Sequence, residues 1–426
     1  MNKFVSTSIG LIPKDWSLSA LSEITQKITD GAHFSPQPLD NGEIIANVKD
    51  MNEYGIDYEG CTRISTNDFN LLKGQNCSPI IGDVLLSKDG TIGRVVVYDG
   101  TRNIVLLSSI AILRPASIIT SLFLKYILKS SYFNKQLFAL QSGSALKRIV
   151  LSDINKLLVP FPQKGKQHKI AKILTTVDNL IEKTQTLIDK YQSIKQGMMH
   201  DLFTRGVDKD GKLRPIYEEA PHLFKKSELG WIPKEWSVTQ LGKIARFNSG
   251  YAFKNHELTE HGMKVVRISN LHKREFPYWH YDGEFKETWI VEKGDLLFSW
   301  AGVASSIDAY LYDGEKALLN QHIYNFKIKN EDLKQFVFQF LLFILPKIRE
   351  GIEGGAGQLH LSKEKIEGIA IPSIGDTEMA KILSSILAIT DKTRDENLYL
   401  DKLKLLKSGL MQDLLTGKVR VKTDNN

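Results

Sequence analysis

The sequence predicts an α+β fold: two tandem mixed α/β domains joined by two long helices that form an intramolecular antiparallel coiled coil, with a pseudo-twofold internal repeat. Three observations predict it: a duplicated set of motifs, short strand-like runs between tight turns in each copy, and a heptad pattern at the end of each copy. The chain has 426 residues, 42% of them hydrophobic, which is enough for more than one core.

The internal repeat is the clearest signal. Gly10–Ser17 (GLIPKDWS) returns as Gly230–Ser237 (GWIPKEWS), with six of eight positions identical. Near the end of each copy, Lys195–Val207 matches Lys407–Val419 at seven of thirteen positions. The chain therefore consists of two copies of roughly 200 residues arranged head to tail. We expect the tryptophan of each opening motif to pack in a domain core.

Short apolar runs bounded by Asn-Gly, Asp-Gly and Gly-Asp predict strands joined by tight turns. In the first copy these runs are Glu43–Val48, Asp83–Ser87, Val95–Tyr98 and Asn103–Leu113. Apolar residues at helical spacing predict a helix over Ser121–Leu137 and another over Leu333–Ile352.

Proline-containing segments end each mixed domain, because proline removes a backbone donor and biases its predecessor towards extended structure. The predicted organisation is a first mixed domain at 1–162, a first long helix at 163–204, a connector at 205–228, a second mixed domain at 229–373, a second long helix at 374–416 and a tail at 417–426.

The first long helix carries apolar residues three and four positions apart, which predicts a coiled-coil seam. The predicted seam is Ile170, Ile173, Val177, Leu180, Leu187, Tyr191, Ile194 and Met198, interrupted by Thr184. The second seam begins at Met379, Ile382, Ile386 and Ile389 and continues in a shifted phase at Tyr399, Leu403, Leu406 and Leu410. A three-residue insertion near Thr393 explains this shift as a stammer. The alternative is two amphipathic helices, each packed on its own domain.

A second apolar stripe lies beside the first seam, at Leu174, Ile181 and Ile188. The combined stripe is wider than a two-stranded coil can cover. The stripe therefore contacts either the chain's own domains or a helix of another subunit, and we assign these three residues to a subunit interface.

Charge, cysteine content and hydropathy indicate the partners and the cellular compartment to expect for this chain. The formal net charge of +7 is compatible with a polyanionic partner. Two cysteines, Cys61 and Cys77, are too few for a disulfide framework and favour a reducing cytoplasm. The N-terminal residues have no signal-peptide pattern, and the apolar run Phe336–Leu345 is shorter than the ~20 residues needed to span a bilayer. We expect a soluble, cytoplasmic chain that does not contact membrane.

Catalytic patterns are missing from the sequence. It has neither a phosphate-binding Gly-x-x-x-x-Gly-Lys-Ser/Thr loop nor a strand-linked Gly-x-Gly-x-x-Gly, and it lacks the Asp/Asn-Pro-Pro-aromatic tetrapeptide of amino-methyltransferases. The histidines lack zinc-binding spacing. Asp282, Glu284 and Lys286 resemble nuclease residues, but they crowd into one turn and have no equivalent in the other copy. The sequence predicts a two-site binding protein with no catalytic residue and no metal.

Several motifs, taken in order, resemble those of the specificity subunit of type I restriction-modification systems. The resemblance covers essentially the whole chain. It rests on the two Gly-x-Ile-Pro-Lys-x-Trp openings, Asp89-Gly-Thr-Ile-Gly93, Leu319-Asn-Gln-His-Ile323, Gln167-His-Lys-Ile-Ala-Lys-Ile-Leu174 and the ending Gly409–Val421.

This resemblance implies a non-catalytic subunit whose two target recognition domains each read half of a bipartite site in double-stranded DNA. It implies two methyltransferase (modification) subunits that bring S-adenosylmethionine and methylate adenine N6. It also implies restriction subunits that use ATP and Mg²⁺ for translocation and cleavage. No cofactor is expected on this chain itself.

Base edges are read by Asn and Gln at adenine and by Arg and Lys at guanine, while further cations bind phosphates. The loop residues able to do this are His33, Gln37, Lys49, Lys88, Lys147 and Arg148 in the first domain, and Lys254, Arg267, Asn270, Asn320, Gln321, Gln358 and His360 in the second. Two other functions remain open at this point: an enzyme that acts alone on nucleic acid, and a structural adaptor that binds proteins.

Overall fold

A computed structural model describes residues 3–141, 148–272, 276–350 and 359–422. Two of the predicted DNA-contacting residues, Lys147 and Gln358, lie outside the described residues. The chain divides into two compact units, Met1–Thr186 with Leu398–Asn426, and Leu187–Asn397. Each unit contains one mixed domain and one half of each long helix.

The short apolar runs build the two larger sheets of the first unit, which also has two two-stranded sheets. A four-stranded antiparallel sheet has the order β4-β10-β7-β8, and a three-stranded sheet, β6-β5-β9, includes the parallel pair β5 and β9. Its strands are Phe4–Thr7 (β1), Gly10–Pro13 (β2), Ser17–Ala20 (β3), Thr25–Asp30 (β4), Glu43–Ala46 (β5), Thr62–Ile64 (β6), Val84–Ser87 (β7), Val95–Val97 (β8), Ile104–Leu106 (β9), Ile110–Pro115 (β10) and Leu158–Phe161 (β11).

Most helices of the first unit pack around the four-stranded sheet and bury Phe123, Tyr126 and Phe133 in its core, whereas the helix at Thr66–Gly74 packs on the three-stranded sheet. They are Leu21–Ile24 (α1), Thr66–Gly74 (α2), Ser121–Ile127 (α3), Ser131–Gln141 (α4), Leu151–Lys156 (α5) and the start of the long helix Lys164–Thr204 (α6).

The second unit repeats this plan. Its four-stranded antiparallel sheet has the order β15-β23-β19-β21, and the sheet β17-β16-β22-β18 contains the parallel pair β16 and β22. Its strands are Phe224–Ser227 (β12), Gly230–Pro233 (β13), Ser237–Gln240 (β14), Arg246–Ser249 (β15), Met263–Val266 (β16), Trp279–Tyr281 (β17), Ile290–Val291 (β18), Leu296–Ser299 (β19), Ala301–Gly302 (β20), Asp308–Leu311 (β21), Ala317–Leu319 (β22), Ile323–Lys327 (β23), Leu359–His360 (β24) and Ala370–Ser373 (β25).

The remaining helices belong wholly or partly to the second unit. They are Leu241–Ile244 (α7), Ile268–His272 (α8), Glu331–Glu350 (α9), Lys363–Glu367 (α10) and the long helix Asp376–Leu415 (α11).

Strand registers confirm the internal repeat. The opening motif forms β2 in one unit and β13 in the other, and both strands pair antiparallel with the strand just before them. Trp16 and Trp236 are 7% and 1% exposed, as expected for core residues. The repeated sequence therefore encodes a repeated fold.

Two predicted elements differ from the structure. The run Asn103–Leu113 forms two strands, β9 and β10, because the backbone turns at 107–109 and leaves the parallel pair to enter the antiparallel sheet. The predicted helix Ser121–Leu137 is interrupted between α3 and α4, where Ser130 accepts the amide of Asn134 and starts the second helix.

Within each unit the two long helices run antiparallel. In the first unit Lys407 of α11 lies 2.8 Å from Asp178 of α6, and Leu414 joins the same core cluster as Ala171. In the second unit Met379 and Ile382 cluster with residues near the end of α6, including Phe203. The core cluster in each unit also contains residues of the mixed domain, so each helix packs on its partner and on a domain.

The predicted phase of the first seam is wrong at alternate positions. Leu180 and Ile194 are 39% and 44% exposed, whereas Leu174, Ile181 and Ile188 are at most 3% exposed. The buried stripe therefore follows the second apolar series, and Thr184, 6% exposed, lies inside it.

The predicted stammer in the second helix is also wrong. Tyr399 and Leu406 are exposed, and the buried or half-buried positions keep three-and-four spacing from Met379 to Leu414. Polar residues occupy part of this stripe, as at Thr393 and Lys407. The heptad pattern of buried positions is therefore continuous along the helix. The sequence prediction missed this because it counted only apolar residues, and some positions of the stripe are polar.

Candidate nucleic-acid interface

One end of the four-stranded sheet of the first unit brings together several predicted DNA-contacting residues. Lys88 directly follows β7, and its Nζ donates to Asp30 Oδ2 at the end of β4 over 3.0 Å. His33 Nε2 lies 3.3 Å from the other oxygen of Asp30. Lys88 is 2% exposed and the His33 side chain is 66% exposed. The buried lysine thus neutralises Asp30, while His33 presents its ring to solvent.

Other candidates lie around this ion pair. Arg148 is exposed and lies 3.9 Å from Asp89, while the carbonyl of Lys88 accepts the amide of Ile149. Lys49 is exposed on a 3-10 turn, Val48–Asp50, which Ser109 ties to the same region through its hydroxyl. Gln37 is exposed in the loop after β4.

The matching end of the second unit holds an aromatic and imidazole cluster instead. Trp300 directly follows β19, and its ring centroid lies 5.3 Å from that of His322 and 5.8 Å from that of His360. Gln321 Nε2 lies 3.2 Å from His322 Nε2. Burial lowers the pKa of His322, and the neighbouring His360 lowers it further, so the His322 ring is neutral at pH 7.

Three polar atoms of this cluster are buried and make no hydrogen bond within the described residues. They are Trp300 Nε1, Gln321 Oε1 and His322 Nδ1. Buried polar groups are nearly always paired, so unpaired ones next to each other mark a place where an incoming donor or acceptor is stabilised.

The parallel strands β16 and β22 of the second unit bring together two further DNA-contacting candidates. Arg267 follows β16 and Asn320 follows β22, and the Asn320 amide donates to the carbonyl of Val266. The Arg267 guanidinium lies 4.1 Å from the centre of the Trp279 ring. Burial lowers the pKa of Arg267.

Asn270 is occupied by internal hydrogen bonds, Asn320 is buried, and Lys254 is exposed. Asn270, 3% exposed, accepts the amide of Arg267 and donates to the carbonyl of Phe276. Asn320 is 8% exposed. Lys254 is exposed and precedes a 3-10 turn at Asn255–Glu257.

The same backbone scaffold carries different side chains in the two units. Ser87 pairs with Ile110 in one sheet as Ser299 pairs with Ile323 in the other, so Lys88 and Trp300 occupy equivalent positions. Glycine is required beside both: a Cβ on Gly31 would lie 2.0 Å from the carbonyl oxygen of Leu106, and one on Gly250 2.3 Å from that of Leu319. A backbone that is shared by the two units but carries different side chains is suited to binding two different targets.

Sequence reasoning missed Trp300 and His322. Trp300 directly follows one strand of the duplicated sheet, and His322 directly precedes another. Aligning the two copies position by position could have found them, because Trp300 replaces Lys88 and His322 replaces Ser109.

The predicted subunit-interface residues Leu174, Ile181 and Ile188 are buried by this chain alone. Their intramolecular packing accounts for that burial, which is the alternative left open by the sequence. Contact with another subunit stays a prediction for them.

Among the described residues, no group of three or more His, Cys, Asp and Glu side chains is arranged to hold a metal ion. A separate search of the same residues finds no helix with the length and hydropathy needed to cross a membrane.

Comparisons with known proteins agree with this architecture. The family model described as "Type I restriction modification DNA specificity domain" matches residues 13–191 and 233–399. The type I restriction enzyme MjaVIII specificity subunit of Methanocaldococcus jannaschii is 28% identical over 361 residues, which span 80% of each chain.

Solved structures share the fold at low identity. The crystal structure of the type I restriction-modification S subunit from M. genitalium matches with a TM-score of 0.59 and 18% identity, covering 94% of this chain and 96% of that one. A chain from a structural study of type I R-M complex assembly and conformational transition matches with a TM-score of 0.52 and 13% identity, covering 96% and 99%.

The duplicated mixed domains and the long helices define a protein with two recognition domains. The family match covers most of both copies. The chain belongs to the type I restriction-modification DNA specificity subunits, a class of DNA-recognition subunits.

Proposed function

We propose that this chain reads a bipartite sequence in duplex DNA, with one half-site for each mixed domain. The observation that carries the proposal is a difference at one equivalent position of the two domains. The first domain has a buried ion pair there, Lys88 with Asp30, and the second has the Trp300 cluster. Different donors and acceptors on one scaffold read different bases.

The exposed candidates are assigned the direct contacts with DNA. In the first domain they are His33, Gln37, Lys49 and Arg148, and in the second Lys254 and His360; the half-buried Gln321 is assigned a DNA contact with them. Lys147 and Gln358 stay sequence predictions. Lys88 and Asn270 are bound to internal partners, which favours a role in holding the loops.

The second part of the proposal concerns recruitment. Two methyltransferase subunits would bind the chain, bring S-adenosylmethionine and methylate adenine N6, and restriction subunits would bring ATP and Mg²⁺. The C-terminal half of α11 leaves four apolar residues exposed beside the seam, between 45% and 74%: Leu398, Tyr399, Leu405 and Leu406. A stripe of this kind on an otherwise polar helix supports a protein contact there.

A domain exchange tests the reading of half-sites. Residues 17–158 are replaced by the corresponding domain of a relative with a different target, and the methylated motif is determined by sequencing host DNA. We expect one half-site to change and the other to stay. A change in both half-sites, or in neither while methylation remains active, contradicts the proposal.

Two other functions make different predictions. A stand-alone enzyme would cut or modify DNA when the purified chain is supplied with cofactors only, whereas a specificity subunit alone leaves DNA unchanged. A protein adaptor would not bind duplex DNA, whereas DNA recognition gives an affinity that falls linearly in a plot of log K against log salt concentration.

A further inference from the structure

A basic cavity of about 440 Å³ lies in the first unit, between the start of α4 and the C-terminal part of α11. Its lining contains three lysines, several hydroxyl and amide donors, and no carboxylate: Lys129, Ser130, Ser131, Lys404, Lys407, Ser408, Met411 and Gln412. None of the DNA-contacting candidates lines it. A cavity with this composition is suited to an anion that accepts many hydrogen bonds.

The start of α4 adds further donors to this cavity. Ser130 precedes the eleven-residue helix Ser131–Gln141, and its carbonyl accepts the amide of Asn134. The Ser130 side chain is in the position where a hydroxyl usually caps a helix, yet its Oγ makes no hydrogen bond within the described residues although the residue is only 5% exposed. This unpartnered hydroxyl lies at a helix end, where the first-turn amides have no intrahelical acceptor, and it points to a missing acceptor.

Charge around the cavity is only partly balanced. Asp178 Oδ1 lies 2.8 Å from Lys407 Nζ, and its other oxygen lies 3.8 Å from Lys125 Nζ. Lys129 Nζ donates to the backbone carbonyl of Glu53 over 3.3 Å, and its charge is not paired with a carboxylate of any residue that the structure describes. Burying an ammonium without a counter-ion is costly, so an anion bound here would be strongly favoured.

The comparable junction in the second unit carries an aromatic ring. There His200, which is equivalent to Gln412 in the aligned helix ends, lies with its ring centroid 6.1 Å from that of Phe343 of α9. Aromatic rings are well suited to packing a helix on a domain. The first unit has Ser130 and Ser131 beside Gln412 and no aromatic ring in the lining of the cavity.

We propose that the cavity formed by Lys129, Ser130, Lys404 and Lys407 is a phosphate-binding site, occupied by either a DNA backbone phosphate or a free phosphate ester. Its ligand lies at the junction of a recognition domain with the long helices. Phosphate occupancy therefore stabilises the attachment of the first domain to these helices, a role separate from reading bases.

The test uses the full chain and inorganic phosphate as the probe. Binding is measured by calorimetry and by the shift of the unfolding temperature, against chloride at equal ionic strength. We expect phosphate to raise the unfolding temperature of the wild type and of the control K135M/K402M, whose lysines are exposed on the same helices outside the cavity. K129M/K404M should bind phosphate at least tenfold more weakly, and Ser130→Ala should weaken binding without the loss of a charge.

Binding to an unrelated DNA duplex identifies the source of the phosphate. If a DNA phosphate occupies the cavity, K129M/K404M lowers the slope of log K against log salt by about one to two relative to the control. An unchanged slope together with weaker phosphate binding assigns the cavity to a free phosphate ester. The proposal is overturned if phosphate does not bind the wild type, or binds equally to the folded double variant. Because the probe is phosphate alone, this result does not depend on whether the chain reads a bipartite site.

Discussion

Single charged side chains hold the mixed domains to the long helices, and Glu378 is the clearest example. Near the start of α11, its carboxylate accepts the Trp236 indole N–H over 3.1 Å, the Val207 amide over 2.9 Å and two N–H groups of Arg214. The Arg214 and Glu378 side chains are 12% and 15% exposed. One carboxylate thus joins the second copy's repeated tryptophan, the connector and the helix.

Replacing Glu378 should therefore destabilise the second unit. We expect Glu378→Ala to lower the free energy of unfolding by about 3 kcal/mol, because it removes the nearest carboxylate from the half-buried Arg214 and leaves the indole N–H of Trp236 buried without an acceptor. Denaturant titration measures the change. Asp401→Ala, at an exposed position of the same helix, should change stability by less than about 0.5 kcal/mol. Equal stabilities for the two variants would show that the network contributes nothing.

Lys129 gives a residue-scale prediction about pH. Burial, together with the charges of Lys125 and Lys407, lowers the pKa of Lys129 to about 8, and the charges of Asp178 and Glu53 partly oppose this shift. Between pH 8 and the ordinary lysine pKa of 10.5, the unfolded chain holds a proton that the folded chain has released. The free energy of unfolding therefore gains a term that rises with pH over this window.

The variant Lys129→Met should lack that term. In phosphate-free buffer, the stability of the wild type relative to K129M should increase from pH 8 to pH 10.5, whereas the difference between the wild type and the exposed-site control K135M should stay constant. A constant difference for K129M as well would mean that Lys129 titrates like a solvated lysine.

At the scale of elements, each long helix carries two neighbouring apolar stripes of which only one is buried. In α6 the buried stripe includes Leu174 and Ile181, and Leu180 is left at the surface. In α11 the exposed stripe includes Leu398 and Leu405, one heptad apart. A charged substitution should therefore have different effects on stability in the two stripes.

We expect L398E/L405E to keep the unfolding temperature near that of the wild type and to weaken binding to the methyltransferase subunits, because both side chains are already in contact with water. Ile181→Glu should instead lower the unfolding temperature by several degrees, since it buries a charge in the seam. Co-purification and thermal unfolding measure the two effects. Normal assembly of folded L398E/L405E would place the methyltransferase contact elsewhere.

At the scale of the whole molecule, the length of the two long helices is expected to set the unspecified spacer between half-sites. The buried heptads run through both Thr184 and Thr393, so one added heptad near each keeps the seams in phase. Each insertion lengthens its helix by about 10.5 Å. We predict that both half-sites stay the same and that the spacer grows by about one to three base pairs at ~3.4 Å per pair.

Methylome sequencing of cells that carry the altered gene measures this spacer. Insertion of the heptad into only one helix is the control, and it should abolish methylation because it puts the partner helix out of register. Active methylation with the original spacer would contradict the role of the helices, and altered half-sites would show that the helices take part in reading bases.

The duplicated plan, the two long helices and the family resemblance follow from the sequence alone. A repeated motif such as Gly10–Ser17 and Gly230–Ser237, and apolar residues at a fixed period, are properties of the chain that need no knowledge of distant contacts. The bounds of α6, Lys164–Thr204, agree with that periodicity.

The tertiary structure decided which apolar stripe is buried and which polar side chains remain available. Leu174 is buried because it joins the core cluster of the first domain, while Leu180, with the same hydrophobicity and one position out of phase, faces solvent. The sequence predicts that Lys88 contacts DNA, whereas in the structure its Nζ lies 3.0 Å from the carboxylate of Asp30, a residue far away in the sequence. Burial and pairing depend on contacts between distant segments, and a local pattern in the sequence does not contain them.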